Sequence, residues 1–377
     1  MQEKKSKNVR KVFFALVRAG LWGKEVQLSP FGTIELATIQ QLAEEQSVVG
    51  LVAAGLEKVT DVKPAKKDVL QFIGQTLQLE QQNQAMNYFI GMIVEKMREA
   101  GIYTTLIKGQ GVAQCYEKPL WRACGDVDLY LDAENYEKAK VFLKPLASSV
   151  EEEDTFRKHL GMTIGPWVVE LHGTMHTRLS SRMNRGNDEV QKDIFNNGGV
   201  RTWHNGDVDV YIPSPDNDII IIFTHFIGHF YVGGLGVRQI SDWCRLLWTY
   251  RKEIDLPLLE KRLRAMRLMT EWKAFAAFAV DWLGMPVEAM PLVVSGSKFQ
   301  VSRYKRKADK ICKLIIKAGN FGHNIDESYR TKHPRIIQKS ITLYRRIGEF
   351  IRTSSIFPSN APRFFVTYVL KRANATV

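Results

Sequence analysis

The spacing of apolar residues changes twice along this chain, and those changes set what it can fold into. From residue 8 to 100 apolar residues recur at intervals of three and four, through IELATIQQLAEEQSVVGLVAAGLEKV and VLQFIGQTLQLEQQNQAMNYFIGMIVEKMREAG. That period is helical, and Gly101 directly after it suits a helix stop. Beyond Gly101 the runs shorten and alternate. IYTTLIKG, DVDLYL and WVVELHG read as strands, with KHLGMTIG a hairpin partner for the last. QGVAQCYEK and AENYEKAKVFLKPLA read as helices between them. VRTWHNGDVDVYIPSP fits a second hairpin, turning at Asn205-Gly206. Ser214 and Pro215 suit a helix N-cap and first helical position, and helical spacing returns to about residue 284. Residues 298–317 and 335–352 follow as helices, and FPSNAPRFFVTYVLKRANATV reads as irregular and partly apolar.

This order predicts a mixed α+β chain in four parts. Residues 1–100 are a helical region, 101–213 an α/β core with a small mixed sheet, 214–297 a second helical region, and 298–377 a basic helical region and tail. No uninterrupted apolar run is long enough to cross a bilayer, and the basic start, MQEKKSKNVRK, leads into no signal-like apolar stretch. The expected location is cytoplasmic. Four cysteines form no C-x-x-C pair, which favours reduced thiols. The net charge of +13 is concentrated: residues 298–377 hold 18 Lys and Arg against 4 Asp and Glu, a net of +14, leaving −1 for everything before them. Such a block suits an anionic partner, or a solvated face on terminal helices. The apolar end of the tail reads as docking on the core rather than on a membrane.

Gly-Asp-Val-Asp occurs twice, at Gly125–Asp128 and Gly206–Asp209. In a strand, residues two apart point the same way, so each copy sets two carboxylates side by side. Two such carboxylates repel unless a cation bridges them, the arrangement that two-metal phosphoryl transfer uses. Context separates the copies. Ahead of Asp126 lie Lys108-Gly109, a short helix and Arg122, and behind it a strand with one acidic residue, Glu170, in an apolar run. The second copy has only a tight turn before it and Pro213 and Pro215 after it. Asp126, Asp128 and Glu170 are therefore the candidate metal ligands, and Asp207 and Asp209 the solvent face of a hairpin.

The stretch LIKGQGVAQCYEKPLWRACGDVDLYL, with VVELHG and FTHFIGHF after it, resembles the bacterial nucleotidyltransferase-like family of the DNA polymerase β superfamily. The shared pattern is Leu-Lys-Gly, a Tyr and a Pro, an Arg, Asp-x-Asp, then Glu-x-His. It is densest from Leu106 to His172 and does not reach the basic tail. The resemblance implies a minimal nucleotidyltransferase core with two Mg²⁺ ions and an NTP substrate. Asp126 and Asp128 would hold the metals, and Glu170 would bind metal or accept the acceptor hydroxyl's proton. Lys108, Gly109 and Arg122 would meet the triphosphate. His172 would support Glu170, and His225 would line the cleft. Many relatives carry Gly-Ser where this chain has Gly109-Gln110.

The expected reaction is transfer of a nucleoside monophosphate from an NTP to a hydroxyl whose identity the sequence does not carry. One rival is a silent relative that binds a nucleotide or anionic partner as a scaffold, which Gly109-Gln110 favours and the three carboxylates oppose. Another is a nucleic-acid or membrane-surface binder built on the basic tail, for which no RNA-binding motif speaks. His172/His176 and His225/His229 are each spaced four apart, but lack the Glu of H-E-x-x-H and are not read as zinc sites.

Overall fold

The computed structural model describes residues 2–32, 34–293, 297–320, 324 and 335–373. Four helices open the chain: α1 (Gln2–Trp22), α2 (Leu36–Glu45), α3 (Val49–Leu56) and α4 (Lys66–Glu99). α4 stops as its sequence predicts. Gly101 adopts φ +69°, Gly101 N–H donates to the Arg98 carbonyl, and Ile102 N–H reaches back to Met97. This is a Schellman end, and it needs the left-handed residue that glycine supplies at no steric cost.

The α/β segment follows as β1 (Thr105–Ile107), α5 (Gly109–Ala113), β2 (Asp126–Tyr130), α6 (Ala133–Leu143), β3 (Ser149–Val150), β4 (His159–Ile164) and β5 (Trp167–His172). The five strands make one sheet in the order β1-β2-β5-β4-β3. β2 and β5 run parallel, with Asp128 opposite Glu170, and the other pairs are antiparallel. Next come α7 (Ser181–Asn196), the hairpin β6 (Val200–Asn205) and β7 (Val208–Pro213), and α8 (Pro215–Val232), α9 (Val237–Thr249), α10 (Leu256–Met266) and α11 (Met269–Asp281). α12 (Lys298–Ala318), α13 (Arg335–Ser354) and α14 (Asn360–Ala373) complete it. The fold is thus mixed α+β with a small mixed sheet, as expected.

Strand alternation sorts the sheet into two faces. Val127, Leu129, Val169 and Leu171 are buried on one side with Ile90, Ile93 and Met97 of α4 and Tyr136 and Leu143 of α6. Asp126, Asp128, Glu170 and His172 sit at the alternate positions and face the other way. There Tyr130 joins the larger helical core, edge-on to Phe195 of α7. That core is dense in aromatics, with Phe223, Phe226, Trp243 and Trp272 packed ring against ring.

Four local expectations need correction. The hairpin turns at Gly206-Asp207, because Asn205 pairs with Val208, and Gly206 takes φ +61°. Ser214 occupies the N-cap position of α8 but its side chain makes no capping bond. α7 went unpredicted: Met183, Val190 and Ile194 are its buried apolar residues, diluted by polar neighbours, and Ser180 caps it. Residues 360–373 are helical rather than irregular, and Ala361 and Phe364 are fully buried. The expected docking of the tail on the core is seen in those residues. The final residues, 374–377, lie outside the described residues. All four cysteines are buried free thiols, and among the described residues no helix is long and apolar enough to cross a membrane.

Candidate active site

A cleft of about 670 Å³ opens over the polar face of the sheet. Its floor is β2 and β5, and α8 and α9 form one wall. Arg346 of α13 and Tyr368 of α14 also line it. Lys108, Gly109, Arg122, Asp126, Asp128, Glu170, His172 and His225, the residues singled out in the sequence, all border this one cleft.

Parallel pairing of β2 with β5 sets Asp128 beside Glu170, and alternation sets Asp126 on the same face. Carboxylate oxygens of Asp126, Asp128 and Glu170 lie within 4.8 Å of one another. That donor set, all oxygen and part-buried, fits a hard divalent cation. The charges perturb one another. The Asp128 charge, then burial, push the Asp126 carboxyl up. Burial also pushes Glu170 up, but hydrogen bonds to His159 and His172 and the Lys108 charge outweigh it, holding Glu170 well below the usual carboxylate range.

Lys108 is buried rather than ending its strand in water, and its ammonium sits 2.5 Å from Asp128 Oδ1. Burial disfavours the charged amine, but the three carboxylates outweigh burial and raise its pKa. Its backbone is strained, with φ 58° and ψ −143°, followed by Gly109 at φ +37°. A non-glycine residue there costs about 1–3 kcal/mol, and such outliers cluster at functional loops. Gly109 has little room for a side chain, since an added Cβ would meet Cys124 Sγ at 3.2 Å. Gln110 turns away from the cleft: it is buried and donates to Asn83 Oδ1 at 2.7 Å.

Arg122 is committed elsewhere. It grips Asp242 of α9 through Nε at 3.0 Å and Nη2 at 2.7 Å, and the Tyr116 hydroxyl donates to the same Oδ1 at 2.7 Å. Burial lowers the Arg122 pKa, but Asp242 outweighs it and raises it. The Tyr and Arg of the sequence pattern therefore meet one buried Asp that ties the helical wall to the sheet. Nη1 of Arg122 is left without a partner but is itself buried, so this geometry offers the expected triphosphate contact no free donor on Arg122.

His172 Nε2 lies 2.7 Å from Asp128 and 3.4 Å from Glu170. His225 and His229 lie on one face of α8, their Nε2 atoms 3.1 Å apart. Burial pushes both down, His229 to about 4. No third His, Cys, Asp or Glu ligand joins them among the described residues, and His176 pairs with Asp188 instead.

Two residues escaped the sequence reading. His159 of β4 stands 3.1 Å from Glu170, placed there by antiparallel register that no local pattern reveals. Arg238 opens α9, just after the glycine-rich turn, and donates to the Ala123 carbonyl at 2.8 Å beside the cleft. The charge in VGGLGVRQ was the available signal.

A family model described as "Uncharacterised nucleotidyltransferase" matches residues 33–284. The chain belongs to this family. Membership supports nucleotidyl transfer as its general activity, and the matched segment holds every carboxylate and histidine discussed above. No curated protein and no solved structure matches the chain. Helices α1 and α12 to α14 fall outside the matched residues, although α13 and α14 each give the cleft a side chain.

Proposed function

We propose that the protein is a Mg²⁺-dependent nucleotidyltransferase that moves a nucleoside monophosphate from an NTP to a hydroxyl acceptor and releases pyrophosphate. The observation that carries this reading is the convergence of Asp126, Asp128 and Glu170 from paired strands onto the floor of one deep cleft. Asp126, Asp128 and Glu170 would hold two Mg²⁺ ions, which neutralise the phosphates and polarise the attacking and leaving oxygens. Lys108, Gly109 and Arg238 would meet the triphosphate, with Arg122 behind them holding Asp242. Lys108 shares its Asp128 oxygen with any cation bound there, so metal loading would free its ammonium for phosphate. Glu170, held ionised, would bind metal or take the acceptor's proton, with His172 positioning it. The helical parts, residues 1–100, 214–297 and 298–377, would shape the acceptor pocket, and the hydroxyl would belong to a sugar phosphate of polysaccharide synthesis or a small molecule, with a protein side chain or an RNA end as the alternative.

Calorimetric titration of each NTP with and without Mg²⁺ tests this reading. Binding should need the metal, since three clustered carboxylates repel a bare triphosphate. Equal affinity without metal, or no binding of any NTP, would sink it. A second reading is favoured by Gln110, whose side chain leaves the loop without a hydroxyl for the phosphates. The chain would then bind a nucleotide or anionic partner without transferring it, and metal-dependent NTP binding with no pyrophosphate release would select that alternative.

A further inference from the structure

Beside the three carboxylates, the cleft carries a donor set of a different chemical kind. His159 of β4 and His172 of β5 are register partners on adjacent strands, with ring centroids 4.9 Å apart. Both turn Nε2 toward one oxygen, Glu170 Oε2, at 3.1 Å and 3.4 Å. One ligand atom from each of His159, Glu170 and His172 falls within a 4.8 Å span. Ligands held about 2.1 Å from a common ion stand roughly 3 to 3.5 Å apart, so these spacings suit a shared ion.

We propose that His159, Glu170 and His172 form a binding site for a first-row transition-metal divalent cation, adjoining the carboxylate cluster and sharing Glu170 with it. The donors decide the class of ion. Two imidazoles with one carboxylate suit cobalt, zinc, iron or nickel, whereas magnesium demands oxygen ligands and keeps its waters. Access is present as well. The His159 and Glu170 side chains are 21% and 27% exposed, so an ion can enter from the cleft while His172 anchors the inner side at 10%. The competing arrangement is a plain hydrogen bond from His172 to Asp128, at 2.7 Å, which would leave one histidine for an ion and no transition-metal selectivity. The assignment stands on donor chemistry alone and does not require nucleotidyl transfer, so the two readings fail separately.

The test uses the full-length chain, stripped of metal and then held in excess Mg²⁺ to satisfy the carboxylate cluster. Co²⁺ is titrated by visible absorption and calorimetry, followed by Zn²⁺ competition. The expected result is one Co²⁺ per chain with ligand-field bands that Mg²⁺ does not bleach and Zn²⁺ does. His159→Gln and His172→Gln should each weaken Co²⁺ binding about 100-fold, while Asp126→Asn should keep it. Binding that Mg²⁺ displaces, or that survives His172→Gln but not Asp126→Asn, would overturn the assignment. Proton NMR of Co²⁺-loaded wild type needs no variant: two shifted imidazole N–H signals are expected, and one or none would also overturn it.

Discussion

In β2 the triplet Asp126-Val127-Asp128 lies mid-sheet, with β1 on one side and β5 on the other, and Asp128 is almost wholly buried. In the hairpin the same triplet straddles a turn. Asp207 occupies the turn itself and only Asp209 stands in a strand, exposed and paired with His204 at 2.6 Å. The first copy is paired with β5 along its length and with β1 from Asp128 on, so its alternation aims two carboxylates into the cleft where a third awaits them. The second has one partner strand, and a turn displaced by one residue takes Asp207 out of the alternation altogether. A motif becomes a site when its neighbours fix register on both sides.

The largest expected effect tests that contrast directly. Asp128→Asn should lower the rate of pyrophosphate release about 1,000-fold in protein that circular dichroism shows to be folded, and Asp207→Asn should alter it less than about twofold. Equal losses in the two variants would mean the hairpin copy is not a bystander. Stability should separate the regions next. Asp242→Asn leaves Arg122 buried without its carboxylate, and should cost about 3–5 kcal/mol in urea unfolding. Disrupting the exposed pair by His204→Asn should leave the unfolding midpoint unmoved. A stable Asp242→Asn protein would show that the buried pair is not what ties α9 to the sheet.

Acid response offers a finer comparison. His229 is held neutral, with its pKa lowered to about 4 mainly by burial, against about 6.5 when unfolded. Below 6.5 the unfolded chain binds the proton that the folded chain refuses. Stability should therefore be full above 6.5 and lost as pH falls toward 4, by about 3 kcal/mol. His229→Gln should make that limb of the chemical-denaturation profile shallower, the rest being owed to His225, and His204→Gln should leave it unchanged. The smallest effect belongs to the hairpin turn. Gly206→Ala forces a side chain onto φ +61° and should cost about 1 kcal/mol with no change in NTP binding.

Much of the site was legible because strand alternation is local. DVDLYL and WVVELHG announce which residues share a face, and a single Glu in an apolar run stands out. The match between Asp128 and Glu170 is set by pairing between strands separated by α6, β3 and β4, and no short-range pattern encodes it. His159 escaped for a different reason: the hairpin of KHLGMTIG with WVVELHG is legible, but the register that sets His159 opposite His172 is not. Arg122 reads equally as a triphosphate contact or as half of a buried ion pair, and its partner, Asp242, lies 120 residues away. In α7 and α14 polar residues or a proline broke the apolar period, and packing against the large core decided for helix over irregular chain.

The parallel register of β2 with β5 has a consequence for the order in which the molecule is assembled. β4 and β5 are joined by a tight turn at Gly165-Pro166, so His159, Glu170 and His172 can meet within a short hairpin. Asp126 and Asp128 join them only after a crossover of about forty residues closes, a slower event because its chain entropy is lost before any contact compensates. Loop closure alone would therefore bring the imidazole pair together before the carboxylate pair joins it. A nascent chain would offer its imidazole pair to passing ions before its carboxylate pair had arrived, and the metals present during synthesis would compete for a half-built centre.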